Sequence, residues 1–130
     1  MFPKDFDPNT PIYLQIMEAI QRNLARGELR PGDRIPPVRQ MASKLVVNPN
    51  TVQRAYQGLE HLGLVVIRRG LGTFVTDRKD IITQVAKRLA TTAACRYLKD
   101  MAALGFSLDE AATFLAESRR GERVRRKEES

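Results

Sequence analysis

Apolar residues return every three to four positions along most of this chain, and the rhythm is interrupted by one interval of extended, β-prone sequence. Ile12, Ile16, Ile20 and Leu24, with Tyr13 and Ala19 beside them, predict a one-faced helix that opens at Thr10-Pro11 and closes at Gly27. Arg30-Pro31-Gly32-Asp33 is a turn signature, because proline presets one turn dihedral and glycine can take the positive φ of the next. A short strand through Arg34 and Ile35 can follow it. Val38, Met41, Ala42 and Leu45 predict a short second helix. Val52, Ala55, Tyr56, Leu59 and Leu62 predict a third, which starts at Asn48-Pro49 as N-cap and first helical position and ends at Gly63. The period then changes. Leu64 to Ile67 and Thr73 to Thr76 read as two strands joined through Arg68-Arg69-Gly70-Leu71-Gly72, a hairpin with basic residues at its tip. From Asp77 to Gly105 a single long stripe returns: Ile81, Val85, Leu89, Ala93, Tyr97, Met101 and Leu104, widened by Ile82, Ala86 and Leu98. Ser107 and Glu110 have the spacing of a capping box ahead of a shorter helix to about Glu117. Ser118 to Ser130 holds six Arg or Lys and three Glu without apolar periodicity, and the expectation there is a disordered basic tail.

Composition narrows the function classes. A chain of 130 residues buries one core with a small appendage, and a net charge of +7 favours a polyanionic partner. No stretch approaches the roughly 20 apolar residues of a membrane span, so nucleic acid ranks ahead of a membrane surface. The opening MFPKDFDPNTP lacks the order of a signal peptide, and Cys95 is the single cysteine, which together suit a reducing cytoplasm with no disulfide framework. No metal-ligand spacing, phosphate loop or nucleophile–base pair stands out, so neither an enzyme nor a cofactor is expected. Gly70-x-Gly72 does not open a helix after a strand, which removes the dinucleotide-binding reading.

Three helices followed by a basic-tipped hairpin is the order of a winged helix-turn-helix, in which the helix after the turn enters the major groove. The Asn48–Gly63 helix suits that role. Asn50, Thr51, Gln53, Arg54 and Gln57 lie off its apolar stripe, and amides, a hydroxyl and a guanidinium are the groups that hydrogen-bond base edges. The competing readings are an ordinary solvated helix face and a winged-helix module that binds protein.

The run IPPVRQMASKLVVNPNTVQRAYQGLEHLGLVVIRRGLGTFV, Ile35 to Val75, resembles the signature of the GntR family of bacterial transcription regulators, and YLQIMEAIQRNLARGELRPGDRIP ahead of it matches that family's first helix and turn. The NPNTV element and a C-terminal part of only about 50 residues are similar to the small YtrA-like subfamily. Larger relatives carry ligand-binding or aminotransferase-like domains for which this chain has no room. The resemblance implies that Arg39 contacts phosphate or a base at the groove edge. It likewise implies that Asn48, Asn50, Thr51, Gln53 and Arg54 face DNA, and that Arg69 and Gly70 form the wing tip. Three positions depart from the family pattern: Pro37 stands for the usual Ser, Pro49 for a frequent base-reading Arg, and Val46 for a frequent Gly before the recognition helix.

Other residues invite plainer readings. Tyr56 lies on the apolar stripe and is expected to pack, His61 has no partner at ligand spacing, and Cys95 reads as a small core or interface residue. Arg68 and Arg69 could instead be a charged strand edge that blocks aggregation. A two-helix segment cannot bury a long stripe alone, so Ile81, Val85, Leu89, Tyr97, Met101 and Leu104 are expected at a homodimer interface, the alternative being packing against the first helix. The expectation is therefore a mainly α protein with a small β-hairpin: a winged helix-turn-helix domain over residues 1–76, a two-helix dimerisation segment over 77–117 and a tail over 118–130. It would bind a palindromic double-stranded DNA operator as a homodimer, most plainly as a repressor. A small-molecule effector would have to fit within or between the C-terminal helices, where few polar groups converge.

Overall fold

The computed structural model describes residues 5–129, with side chains through residue 121. Its elements run α1 (Ile12–Ala25), β1 (Arg34–Ile35), α2 (Val38–Leu45), α3 (Pro49–His61), β2 (Val65–Arg68), β3 (Gly72–Val75), α4 (Lys79–Ala103) and α5 (Leu108–Glu129). The chain divides into two compact units, Met1–Leu89 and Ala90–Ser130.

In the first unit α1 and α2 both pack on α3, and the strands form an antiparallel sheet in the order β1-β3-β2. The expected two-stranded hairpin thus gains a third strand: Arg34 pairs with Phe74 and Ile35 with Thr73 on the far side of β3. The apolar stripes predicted along α1 and α3 meet in the core, where Ile16, Ile20, Val52, Ala55, Leu59 and Leu64 are fully buried. Burial of such side chains stabilises by about 1.5–3 kcal/mol each. Ile35, Val65 and Val75 close the core from the sheet.

Val85 joins this core at 1% exposure, with Ile81, Ile82 and Leu89 packed partly against it. Val85, expected at a homodimer interface, is thus a core residue of its own chain. The first turns of α4 use their apolar face within their own chain, because the core beside Gly63 and Leu64 would otherwise be open to water; the Ile81 Cδ1 atom sits 3.7 Å from the position of a Cβ on Gly63.

The start of α1 also differs from expectation. Pro11, not Thr10, holds the N-cap position and no side chain caps the helix. Instead the Gln15 amide donates to the carbonyls of Asp7 and Thr10, and its oxygen accepts from the Asp7 N–H, which ties the preceding arm to the first turn.

In the second unit the Tyr97 hydroxyl donates to the Ala111 carbonyl at 2.7 Å, and the Phe106 and Phe114 rings meet edge to face at 5.0 Å. The capping box forms as the spacing predicts: Ser107 N–H donates to Glu110, and Glu110 N–H to the Ser107 hydroxyl. These bonds hold the Glu110 carboxyl below its ordinary value. α5 continues past Glu117 to Glu129 where a disordered tail was expected. Arg, Lys and Glu are strong helix formers, and extending an existing helix costs far less than nucleating one, so lack of apolar periodicity does not stop it. Ser130 and residues 1–4 lie outside the described residues. Among the described residues no helix is long and apolar enough to cross a membrane.

Candidate nucleic-acid interface

The amino end of α3 is built by three local devices. The Asn48 side-chain oxygen accepts from the Asn50 N–H at 2.8 Å, and Pro49 occupies the position whose missing N–H costs nothing. The turn before it closes at Val46, whose φ of 56° is left-handed and whose side chain is 89% exposed. Val47 N–H then reaches back to the Ala42 carbonyl at 3.0 Å. Finally, the Tyr56 hydroxyl donates to the Pro36 carbonyl at 2.6 Å and fastens α3 to the residues that lead into α2. Tyr56 is thus a packing residue, 1% exposed, and burial pushes its phenol well above the ordinary value. At the start of α2, Pro37 provides no side-chain cap, which agrees with the loss expected from the missing serine hydroxyl.

These devices point two faces of α3 in opposite directions. Val52, Ala55, Tyr56 and Leu59 are buried, while Asn48, Asn50, Gln53, Arg54 and Gln57 are exposed and Thr51 is half-buried. Asn50, Thr51 and Arg54 line one groove of about 350 Å³ together with Ile12 and Tyr13 from the first turn of α1. The Arg54 guanidinium carbon lies 3.9 Å from the centre of the Tyr13 ring. Arg54 is exposed and, among the described residues, takes part in no ion pair. Gln53 and Arg39 are exposed but do not line this groove. Asn48 has its side-chain oxygen engaged in the cap, while its amide N–H groups make no bond among the described residues.

The wing supplies a second, separate basic surface. Leu71 N–H bonds the Arg68 carbonyl across a tight turn that requires the positive φ of Gly70, and Arg69 is exposed at its tip. Arg68 lies over the Phe74 ring at 5.9 Å. Arg34 was missed in the sequence. Its guanidinium crosses Gly72, where an added Cβ would come within 2.7 Å of its Nε, so the second glycine of Gly-x-Gly makes room for a third wing cation. The signal available was the glycine itself, a close-approach residue in a strand. Tyr13 was also missed as a site residue, because it reads as the flank of the α1 stripe. Behind the wing, the Glu60 carboxylate of α3 accepts from the Ile67 N–H at 3.1 Å and ties the hairpin to α3.

Of the residues expected at a homodimer interface, Ile81, Val85 and Leu89 belong to the first unit and Tyr97, Met101 and Leu104 to the second. Tyr97 and Met101 are half-buried and Leu104 is 71% exposed. His61 and Cys95 are exposed. No group of three potential metal ligands occurs among the described residues.

A family model for bacterial regulatory proteins of the gntR family matches residues 12–75, the span that carries α1, the turn, α3 and the wing. The chain is 43% identical over 105 residues to the HTH-type transcriptional regulator YhcF of Bacillus subtilis, a match covering 81% of this chain and 87% of that protein. It is 41% identical over 69 residues to the HTH-type transcriptional repressor YtrA of the same organism, covering 53% of each. Among solved structures, a GntR family transcriptional regulator from Listeria monocytogenes superposes with a TM-score of 0.80 at 33% identity, covering 86% of this chain and 98% of that one. These relatives are named as regulators and not as enzymes. With its winged helix-turn-helix, a basic wing and relatives matched over most of their own length, the chain belongs to the GntR family of DNA-binding transcription regulators and is similar to its small YtrA-like members.

Proposed function

We propose that the protein binds a palindromic operator as a homodimer and represses transcription by occluding a promoter. One observation carries the base-reading part: Asn50, Thr51 and Arg54 share a groove at the amino end of α3, and Arg54 keeps its donor edge uncommitted. A guanidinium edge bridges guanine O6 and N7, and amides pair with adenine. Gln53 and Arg39 add exposed donors on the same two helices of the turn. Arg69, with Gly70 beneath it, reaches the backbone or minor groove, where a cation adds affinity and little sequence information. The similarity to a named repressor supports repression, and the exposed apolar side chains of the second unit support a second copy as partner.

Binding titrations of two variants at several salt concentrations test this division. Arg54→Ala should weaken cognate DNA by about 1–3 kcal/mol and relax preference at one base pair per half-site, while random DNA loses far less. Arg69→Ala should weaken both by similar factors and make the slope of log K against log salt shallower by about one unit. Equal losses on cognate and random DNA for Arg54→Ala would remove α3 from base readout.

A further inference from the structure

We infer that Tyr13, on α1, is the positioning residue for Arg54, holding its guanidinium ready for a base edge. The inference rests on the proposed base readout and names the part of the molecule that sets its geometry. An arginine on an exposed helix face has many rotamers, and each hydrogen bond to a base must first select one of them. Here the guanidinium carbon is 3.9 Å from the Tyr13 ring centre. A cation held by a ring is held through its flat face, whereas hydrogen bonds to guanine leave from its edge. Both contacts can therefore exist at once. The ring is itself fixed: Tyr13 is half-buried against the core. The same helix presses so close to α3 that Met17 fills the space where Gly58 would carry a side chain. Asn50 and Thr51 line the same groove as this pair, so Tyr13 sets where the arginine edge lies relative to them.

The test uses the full chain with Tyr13→Leu, which removes the ring, and Tyr13→Phe, which keeps it and loses only the hydroxyl. Tyr13→Leu should lower cognate affinity about two- to fivefold, the size of an exposed cation–π contact, and lower random-DNA affinity by less, with folding checked separately by its thermal unfolding curve. Tyr13→Phe should restore the preference. In an Arg54→Ala background Tyr13→Leu should cost nothing further. Ring-current shifts of the Arg54 side-chain protons, read by NMR, should be present in the free protein and persist on cognate DNA. If those shifts vanish on binding, or if Tyr13→Leu tightens cognate binding, the ring parks the arginine and the inference is overturned. It is also overturned if Tyr13→Leu weakens random DNA equally or adds to Arg54→Ala. Should Arg54→Ala itself leave preference unchanged, the base-readout proposal falls and this inference with it; a selective Arg54→Ala with a silent Tyr13→Leu sinks the inference alone.

Discussion

The Tyr56 hydroxyl is one atom that fastens two helices, and its removal is a clean measure of that contact. Tyr56→Phe keeps the ring in the core and breaks only the bond to the Pro36 carbonyl, so it should cost about 1 kcal/mol in denaturant unfolding. The same phenol makes stability depend on alkaline pH. Burial raises its folded-state pKa above the ordinary 10.0, so as pH climbs past that value the unfolded chain releases the proton first. The unfolded state then binds fewer protons than the native one, and stability falls with rising pH. Below about pH 10 the contribution is fully present. The difference in unfolding free energy between wild type and Tyr56→Phe, followed from pH 8 to 11, should shrink and then change sign; a constant difference would show that the phenol titrates alike in both states. Arg54 is the opposite kind of residue, placed by a neighbour and left without a structural bond, so its loss should be felt in binding and not in folding.

Helix ends in this chain follow one pattern with one exception. α1, α3 and α4 each end on a left-handed glycine, Gly27, Gly63 and Gly105, with the next N–H bonded five residues back. The turn after α2 has the same bonds, but Val46 sits where glycine would. A β-branched residue at φ 56° is strained, and at 89% exposure it gains no packing in return. Val46→Gly should therefore raise stability by about 0.5–1 kcal/mol after the entropy of glycine is deducted, measurable by chemical denaturation. A loss of stability would mean that the valine methyls hold the turn in a way its exposure conceals. Elements of this kind were legible in the sequence because each is local: one-sided stripes gave α1, α3 and the start of α4, and Asn48 and Ser107 announced helix starts. What sequence could not supply was non-local. The short strand at Arg34 and Ile35 was expected, but its pairing to β3 was not, being decided by where the Pro31-Gly32 turn delivers it. Arg34 over Gly72 and Tyr13 under Arg54 are meetings of elements distant in sequence. The continuous stripe of α4 hid the fact that its first turns belong to the core of the first unit.

At the scale of the whole molecule, the second unit leaves several large apolar side chains exposed, among them Leu104, Leu108 and Leu115 at 71%, 69% and 54%. Burial against a second copy would stabilise a dimer at roughly 25 cal/mol per Å² of apolar surface. Leu104→Glu with Leu115→Glu should give folded monomers that bind a half-site but bind a full operator weakly, as seen by sedimentation and titration. Val85→Glu should instead lower the melting temperature of the first unit, because it buries a charge in a packed core. A wild type that sediments as a monomer at micromolar concentration, with and without DNA, would end the dimer proposal. The two faces of α3 also bear on how such a protein changes over time. The fold depends on Val52, Ala55, Tyr56 and Leu59, whereas the side chains of Asn50, Gln53 and Arg54 are exposed and make no structural hydrogen bond among the described residues. Substitutions at such exposed positions usually alter stability by less than about 0.5 kcal/mol. Gene duplicates of this chain could therefore drift to new operators one exposed residue at a time without ever passing through an unstable ancestor, and the core would keep no record of which operator each one reads.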